Sequence, residues 1–384
     1  MILTAVSACF VSAAGAEPGP LLRGLGPGMR DLPPVTSITD LGTVTQTPLV
    51  MGRDGGWSAQ VGARSIWTFG DSILTVPGAG GDSWADNTLS WTTDLHASDG
   101  ITLDHDFVDQ TGAPTEAIPF TQQEAKYNAE HKGNNCQVEP CNAEFALWAG
   151  PIVPDFARDR VLLFYLKIHR IVGHPMWTNV GSGIAVADAN GTVVRPIESP
   201  GSPDPTLLFS ARTPMFIAGS VVVGDVLYSY GCSPGFLVQN CDLARVPVAD
   251  ALDRSVWRFY AGEGVWSARL GDAVQVFQGG AANSVFWDQF LGEYVNVYSQ
   301  PLNDDVMYRV APALEGPWSD DALLFEGRPG QVGTFDYFGL AHPEYEEGNG
   351  RTEYVTYVRT TGLFQLEFRL VQVVFGAGGA PREP

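Results

Sequence analysis

Five times along the chain, an apolar strand leads through a short turn into a second, aromatic-rich strand. The second strands have the sequences R-S-I-W-T-F, R-V-L-L-F-Y, D-V-L-Y-S-Y, E-Y-V-N-V-Y and E-Y-V-T-Y-V. One or two further short strands follow each hairpin. A unit of this size cannot bury both faces of its sheet alone, so neighbouring units must stack around an axis. The repeat predicts an all-β fold, a five-bladed β-propeller.

Two other all-β folds, a two-sheet sandwich and a right-handed β-helix, also contain many short strands. Five similar hairpins favour the propeller over both. A closed ring must cover the edge at which its last blade meets its first. The segment T-S-I-T-D-L-G-T-V, residues 36–44, is expected to complete the last blade beside F-Q-L-E-F-R-L-V-Q-V-V-F. The 44 glycines and 27 prolines agree with short strands and many turns.

The two ends of the chain differ from the repeat. Residues 1–16 form a signal-like segment or a lipoprotein segment with Cys9 as the acylated residue, unless the start codon is mis-assigned. Residues 17–35 are rich in Gly and Pro and are expected to be a tether. The propeller is predicted over residues 36–376, and residues 377–384 are predicted to be a disordered tail.

The charge of the chain excludes several partners. The formal net charge is −21, and the only lysines are Lys126, Lys132 and Lys167. Nucleic acid is not expected, because binding phosphates needs a basic surface. An anionic membrane surface is disfavoured for the same reason, which leaves only a lipid anchor at Cys9. We therefore expect a secreted, cell-surface or periplasmic protein whose partner is a polysaccharide or an oligosaccharide.

The other four cysteines form two local pairs, Cys136 with Cys141 and Cys232 with Cys241. Sequence alone permits three connectivities. Local pairing is favoured, because each pair can close a short loop. A zinc site is less favoured, because neither pair has C-x-x-C spacing.

The first hairpin, R-D-G-G-W-S-A-Q-V-G-A-R-S-I-W-T-F-G-D-S-I-L, carries an acid near each outer end. In an antiparallel hairpin the start of the first strand lies beside the end of the second. Because paired strands are about 4.8 Å apart, Asp54 and Asp71 are expected on one rim, within about 10 Å of each other. In a propeller this rim faces the mouth of the axial funnel, where loops of all blades converge.

An insertion at residues 110–142 is expected to fold over this mouth. It contains the predicted helix at 121–132, where Thr121 and Glu124 fit a capping box. Aromatic rings, carboxylates and amides around one opening are typical of a sugar site. Two carboxylates flanking a glycosidic bond can hydrolyse it. The expected catalytic residues are Asp54, Glu124, Glu144 and Asp71, and the expected substrate contacts are Arg53, Trp57, Asn87, Trp148 and Asp336.

The order of several short motifs resembles the bacterial propeller family catalogued as domain of unknown function 4185. These motifs are R-D-G-G-W-S…W-T-F-G-D-S, D-N-T-L-S-W, P-F-T-Q-Q-E, A-L-W-A-G-P-I-V, S-V-F-W…Y-V-N-V-Y, G-P-W-S and H-P-E-Y. The resemblance covers nearly all of residues 40–375. It implies a fold similar to the five-bladed furanosidase and arabinanase propellers. It also implies an association with cleavage of bacterial D-arabinan, a furanose polymer.

The resemblance to the arabinanases also suggests roles. Those propellers usually start blade one with an Asp as general base, and Asp54 is positioned in the same way. They usually supply the acid as Glu in E-G-P, where this chain has A-G-P at residues 149–151. Glu124 or Glu144 would therefore have to be the acid, with Asp71 as a tuning group.

The resemblance further nominates His342 as a metal residue, because an inner histidine of furanosidase propellers often helps to hold an axial calcium ion or water. No cofactor is otherwise expected, because G-x-S-x-G, P-loop and H-E-x-x-H motifs are lacking. The sequence thus favours a glycoside hydrolase, endo-arabinanase-like, acting on a furanose-containing polysaccharide. The alternative is a non-catalytic carbohydrate-binding or surface-interaction propeller, which the missing E-G-P acid favours.

Overall fold

The structure, a computed structural model, describes residues 32–133, 136–172, 174, 176–188, 191–196, 204–233, 239–362 and 365–377. The predicted signal or lipoprotein segment with Cys9, most of the predicted tether and most of the predicted tail lie outside the described residues.

Twenty-four strands and one α-helix are found in the described residues. The strands are β1 (Val35–Thr43), β2 (Val50–Val61), β3 (Arg64–Leu74), β4 (Trp84–Ala85), β5 (Thr88–Thr92), β6 (His105–Asp106), β7 (Ala143–Asp155), β8 (Arg160–Ile171), β9 (Trp177–Asp188), β10 (Val193–Val194), β11 (Phe209–Ser210), β12 (Met215–Val223), β13 (Val226–Cys232), β14 (Gln239–Pro247), β15 (Arg258–Tyr260), β16 (Trp266–Ser267), β17 (Gln275–Gly279), β18 (Ser284–Asp288), β19 (Glu293–Ser299), β20 (Asp305–Ala311), β21 (Ala322–Glu326), β22 (Tyr337–Ala341), β23 (Thr352–Gly362) and β24 (Gln365–Phe375). The helix is α1 (Gln122–His131), and short 3-10 turns cover Phe156–Arg158, Val248–Asp250, Leu270–Asp272 and Pro343–Tyr345.

These strands form five antiparallel sheets, which are the five blades of a propeller. Blade 1 contains β2 to β6, blade 2 β7 to β11, blade 3 β12 to β17, blade 4 β18 to β21, and blade 5 β22 to β24 together with β1. The innermost strands are β2, β7, β12, β18 and β22, each of which is the first strand of a hairpin recognised in the sequence. The predicted fold class is therefore confirmed.

The N-terminal strand closes the ring, as predicted. β1 pairs antiparallel with β24, from Val35 opposite Phe375 to Thr43 opposite Arg369. Two backbone contacts just before β1 extend this closure. The Tyr308 hydroxyl donates to the carbonyl of residue 33 at 2.7 Å, and the backbone N–H of residue 376 donates to the carbonyl of residue 34 at 2.7 Å. The last blade thus covers its outer edge with the other end of the chain.

The hydrophobic core is divided among the blade interfaces. Five clusters of buried side chains each join two neighbouring blades. Each interface can be represented by one residue from each of its two blades. In the order of interfaces 1–2, 2–3, 3–4, 4–5 and 5–1, these residues are Ile66 and Leu163, Phe164 and Phe216, Tyr230 and Val285, Val297 and Val355, and Trp67 and Phe368. Each blade is therefore stabilised by its two neighbours, as expected for a ring of stacked sheets.

The predicted helix and both predicted disulfides are confirmed. In α1 the Thr121 hydroxyl accepts from the Glu124 backbone N–H, and the Glu124 carboxylate accepts from the Thr121 backbone N–H. Disulfides join Cys136 to Cys141 and Cys232 to Cys241. Such bonds are typical of proteins outside the cytoplasm. Across the described residues, no helix combines the length and the apolar character needed to cross a membrane.

Candidate active site

Asp54 lies in a β-bulge near the start of the innermost strand of blade 1. The pairing of β2 with β3 shifts register on both sides of Gly55. Gly55 and Gly56 have φ angles of +84° and +133°, and a β-carbon at Gly56 would overlap the Phe368 ring. Glycine tolerates both conditions, and bulges re-aim side chains beside active sites. The sequence D-G-G therefore sets the direction of the Asp54 side chain.

Asp54 contacts the innermost strand of the neighbouring blade 5. The Tyr337 hydroxyl donates a hydrogen bond to Asp54 Oδ1. Burial, followed by the negative charge of Asp71, raises the pKa of Asp54 to about 7, although the Tyr337 hydrogen bond and the Arg170 charge act in the opposite direction. A carboxyl group with a pKa near neutrality can exchange a proton at physiological pH.

A single arginine holds three carboxylates beside Asp54. Arg170, near the end of β8, donates from Nη1 to Asp71 Oδ2 at 2.8 Å, from Nη2 to Asp86 Oδ1 at 2.6 Å and from Nε to Glu144 Oε1 at 2.7 Å. We call these four residues the Arg170 cluster. The cluster joins blade 1, which supplies Asp71 and Asp86, to blade 2, which supplies Glu144 and Arg170. Asp54 lies outside the cluster but close enough to be affected by the charges of Asp71 and Arg170, in agreement with the shared rim expected from the hairpin.

The carboxylates of the Arg170 cluster outnumber its only cation. Burial raises the pKa of Asp86 well above its usual range, although the Arg170 charge opposes this. Burial also raises the pKa of Glu144, again against Arg170, and the charge of Asp71 adds to the increase. Glu144 is the most accessible of the three, with 26% of its side chain exposed. A partly exposed carboxyl group with a raised pKa is suited to donate a proton to a bound molecule.

Aromatic side chains surround the cluster. The indole N–H groups of Trp84 and Trp148 both donate to Asp71 Oδ1, at 3.0 and 3.1 Å. The ring of Trp148 packs edge to face against Trp177 at 5.2 Å between centroids. Trp148 and Trp177 are both partly exposed. The surface beside the carboxylates thus offers apolar ring faces of the kind on which a sugar ring can pack.

The site lies at one end of the propeller axis. Asp54, Glu144 and Tyr337 belong to the first halves of their innermost strands, and we call this end the funnel mouth. A separate cavity of about 320 Å³ is lined by later residues of the same strands and by the turn after β22, including residues 57–60, Pro151, Ile152, Pro154, Leu340, Ala341, Pro343 and Glu344. The catalytic candidates therefore lie outside this axial cavity.

Glu124, a predicted general acid, lies away from the funnel mouth in a buried ionic network. It is 3% exposed and contacts Arg195 through both carboxylate oxygens and Lys167 at 2.5 Å. Burial alone would raise the pKa of Glu124, but Arg195 and Lys167 lower it to about 2. Such a group is ionised at neutral pH and has no proton to give. Glu124 does not fit the role of acid, which leaves Glu144.

We predict that Glu124→Gln will destabilise the protein without affecting the funnel mouth. The folded-state pKa of Glu124 is about 2, below its usual 4.5, so its stabilisation is present above about pH 4.5 and is lost as the pH falls towards 2. The substitution should cost on the order of 3 kcal/mol of unfolding free energy at pH 7. Urea denaturation at pH 7 and pH 3 measures this cost, which should shrink at the lower pH. An equal cost at both pH values would contradict the assignment.

Two predicted substrate contacts are instead buried structural residues. Arg53 is 1% exposed and donates to Ser90 at 2.6 Å and to Asp106 at 2.7 Å, inside blade 1. Asn87 is fully buried. Its side chain accepts from the backbone N–H of residue 118 at 2.7 Å and donates to the carbonyl of residue 147 at 3.1 Å, joining blade 1 to the insertion and to blade 2. Neither side chain reaches the funnel mouth.

Trp57 and Asp336 are also placed away from the Arg170 cluster. Trp57 is 8% exposed and packs against Ala282 and Leu340, where it lines the axial cavity. Asp336 is 3% exposed, its carboxylate packs against Gly327, and burial raises its pKa to about 8. Asp336 precedes β22 and lies against Gly327, whereas Tyr337, the first residue of the strand, contacts Asp54. Of the five predicted substrate contacts, the structure brings only Trp148 to the cluster.

His342 lies at the axial end opposite the mouth, and both of its ring nitrogens are engaged. Nδ1 bonds to the Ser58 hydroxyl at 2.6 Å and Nε2 to the Thr356 hydroxyl at 2.7 Å. Burial lowers the pKa of His342 to about 3, so the ring is neutral. This arrangement leaves no ring nitrogen for a metal and does not support the predicted axial role. Within the described ranges, no group of three or more His, Cys, Asp or Glu side chains is arranged to hold a metal ion.

Five residues of the site were not among the predicted site residues: Arg170, Asp86, Tyr337, Trp84 and Trp177. Arg170 ends an apolar strand directly opposite Glu144, and the predicted hairpin could have revealed this pair. Asp86 directly precedes Asn87 in the D-N-T-L-S-W motif, of which only Asn87 was selected. No signal in the sequence distinguished Tyr337 from Asp336, because the choice depends on an irregular strand.

Comparisons with known proteins agree with this architecture. The chain resembles a protein from Bacteroides ovatus at 14% identity and a TM-score of 0.55, over 87% of each chain. It resembles Zg3597, a family 117 glycoside hydrolase of Zobellia galactanivorans, at 10% identity and a TM-score of 0.50, over 90% of this chain and 95% of that one. It also resembles a GH43_1 enzyme from Xanthomonas citri, complexed with xylose, at 13% identity and a TM-score of 0.49, over 89% and 92%.

At these identities the similarity to the first two of these structures shows the fold alone, a propeller like that of the family 117 glycoside hydrolase. No curated protein matches the sequence significantly. A family model described as "Domain of unknown function (DUF4185)" matches residues 37–361. This match includes strands of all five blades, ending before β24, and confirms the resemblance recognised in the sequence motifs. The chain therefore belongs to the DUF4185 family.

Proposed function

We propose that the protein is a glycoside hydrolase that cleaves a furanose-containing, arabinan-like polysaccharide at the funnel mouth. The observation that carries this proposal is the placement of Asp54, with a pKa of about 7, beside the three carboxylates of the Arg170 cluster. Two carboxyl groups on either side of a glycosidic bond are the usual requirement for hydrolysis. The shared fold of glycoside hydrolase propellers supports the same class of reaction only by analogy.

In the proposed reaction, Glu144 is the general acid and Asp54 the general base. Glu144, whose pKa is raised by burial, gives its proton to the leaving glycosidic oxygen as the bond to the anomeric carbon breaks. Asp54 takes a proton from the water that attacks this carbon, so the two sugar products contain the elements of that water. This single displacement by water inverts the configuration at the anomeric carbon.

Asp71 and the tryptophans have supporting roles in the proposal. Asp71 is held by three N–H donors, and its charge raises the pKa of Asp54 towards neutrality. This fits the tuning role that the sequence suggested. Trp148 and Trp177 offer ring faces for a sugar, since stacking on aromatic rings positions substrates with little polar contact. The reaction needs only carboxyl groups and water, so we propose that no cofactor takes part.

The substrate and the location of the protein are proposed on separate grounds. The choice of a furanose polymer as substrate rests on the resemblance to the arabinanase propellers. A neutral sugar also suits the acidic funnel mouth better than an anionic polymer would. The two disulfides suit an export pathway. We propose that the protein is secreted or lies at the cell surface or in the periplasm, where polysaccharides occur.

Incubation with purified arabinans tests the proposed function. New reducing ends should appear with a furanose polymer, and none with a pyranose polymer such as xylan. We propose that cleavage occurs within the polymer chain. Such cleavage releases oligosaccharides from the start of the reaction, and chromatography distinguishes these products from single sugars. If neither D-arabinan nor L-arabinan yields products, the proposal is overturned.

The second candidate function is binding without cleavage. Ala149 occupies the position at which arabinanase propellers usually carry the glutamic acid of E-G-P, and this observation favours it. The same incubation separates the two candidates. Retention of the protein on immobilised arabinan without new reducing ends would select the binding function.

A further inference from the structure

Tyr337 contacts Asp54 but takes no part in the proton transfers of the proposed reaction. Its hydroxyl donates to Asp54 Oδ1 across the interface between blades 5 and 1. Across the described part of the chain, no protein group hydrogen-bonds to Asp54 Oδ2. The contact thus fixes one oxygen of the carboxylate and leaves the other free for water or substrate.

An irregular backbone aims Tyr337 at Asp54. The pairing of β22 with β23 shifts register between Tyr337 and Leu340, and Phe338 has a φ of +53°. For a bulky residue this left-handed conformation is an outlier, and such strain persists only where the surroundings hold it in place. Phe338 packs against Tyr337 at 5.5 Å between ring centroids and also contacts the cluster around Trp57.

Both partners of the hydrogen bond therefore lie in irregular stretches of adjacent innermost strands. Asp54 depends on the glycine bulge of β2, and Tyr337 depends on the shifted register of β22. A regular strand at either position would turn the side chain to the other face of its sheet. Local strain on two facing strands, meeting at one hydrogen bond, is the pattern found at functional sites.

We propose that Tyr337 is a positioning residue of the candidate active site, whose hydroxyl holds Asp54 Oδ1 so that Oδ2 is presented to the attacking water. The catalytic meaning of this role rests on the proposed hydrolase function. The physical contact with Asp54 can be tested without any substrate. A donor to the ionised form also favours the carboxylate, so Tyr337 keeps Asp54 in the state a base needs.

The test compares Tyr337→Phe with a matched control, Tyr354→Phe. The Tyr354 hydroxyl also donates to a carboxylate, that of Glu347 at 2.9 Å, in the same blade. Carbon-13 NMR of labelled aspartate carboxyl groups, with Asp54→Asn to assign the signal, gives the pKa of Asp54 in the substrate-free protein. Loss of the donor should raise it by about one to two units, a tenfold to hundredfold increase in proton affinity. Tyr354→Phe should leave it unchanged.

Kinetics provide the second readout. If arabinan is cleaved, the acidic limb of the pH profile of kcat/KM should move to higher pH in Tyr337→Phe. Relative to the wild-type protein at the same pH, the variant should lose much of its kcat/KM at pH 6 and less of it at pH 9. A merely structural role would lower kcat/KM by the same factor at every pH. An unchanged Asp54 pKa in Tyr337→Phe overturns the proposal, whether or not the protein hydrolyses any glycan. A shifted pKa in a protein that cleaves no arabinan would refute the proposed function and leave the Tyr337–Asp54 contact established.

Discussion

Replacing Asp54 by asparagine should abolish hydrolysis and raise the melting temperature above pH 7. The loss of a general base costs about 10²–10⁴-fold in rate. The gain in stability follows from the pKa of Asp54, which burial raises from 3.8 to about 7. Since the folded protein binds this proton more tightly than the unfolded chain does, ionised Asp54 destabilises the fold as the pH rises from about 4 to 7. Asparagine never ionises and avoids this penalty.

The control for this experiment is Asp336→Asn. Burial also raises the pKa of Asp336, to about 8, but the residue lies away from the funnel mouth. Both substitutions should raise the melting temperature at pH 9, and only the change at Asp54 should remove activity. Differential scanning calorimetry at pH 5 and pH 9, with reducing-end assays on the same samples, measures both effects. Wild-type turnover in Asp54→Asn would refute its role as the base.

The fold could be predicted because it is repeated. Five hairpins of similar pattern carry the same information five times, so an irregularity in one unit does not hide the architecture. Closure by β1 followed from a general need to cover a sheet edge. The helix α1 was predictable because Thr121 and Glu124 cap it locally, and local signals of this kind survive in a single sequence.

The site was predicted less completely, because it depends on side-chain direction at irregular strands. The placement of Asp54 near Asp71 followed from hairpin geometry alone. Arg53 and Trp57 lie close to Asp54 in sequence, but strand alternation and the glycine bulge turn them elsewhere. Glu124 was on the correct insertion, but Arg195, more than 70 residues later in the chain, pairs with it. Long-range pairing of this kind has no signature in one sequence.

The Arg170 cluster provides the prediction with the largest effect on stability. Arg170→Met should lower the free energy of unfolding by about 3–5 kcal/mol at neutral pH, because removing one partner of a buried ion pair leaves the other charges uncompensated. Here three carboxylates lose the same cation, whose side chain is 13% exposed. Activity should also be lost, since both Asp71 and Glu144 lose the bond that orients them.

The penalty should depend on pH in a defined direction. Without Arg170 the three carboxylates repel one another, and protonation relieves the repulsion, so the cost of Arg170→Met should be smaller at pH 5 than at pH 8. Urea denaturation at both pH values measures this difference. Arg269→Met is the matched control, because Arg269 pairs with Asp272 but is 82% exposed, and its loss should leave the unfolding free energy nearly unchanged. If the two substitutions lower the unfolding free energy equally, the charge of Arg170 does not hold the carboxylates at the funnel mouth together.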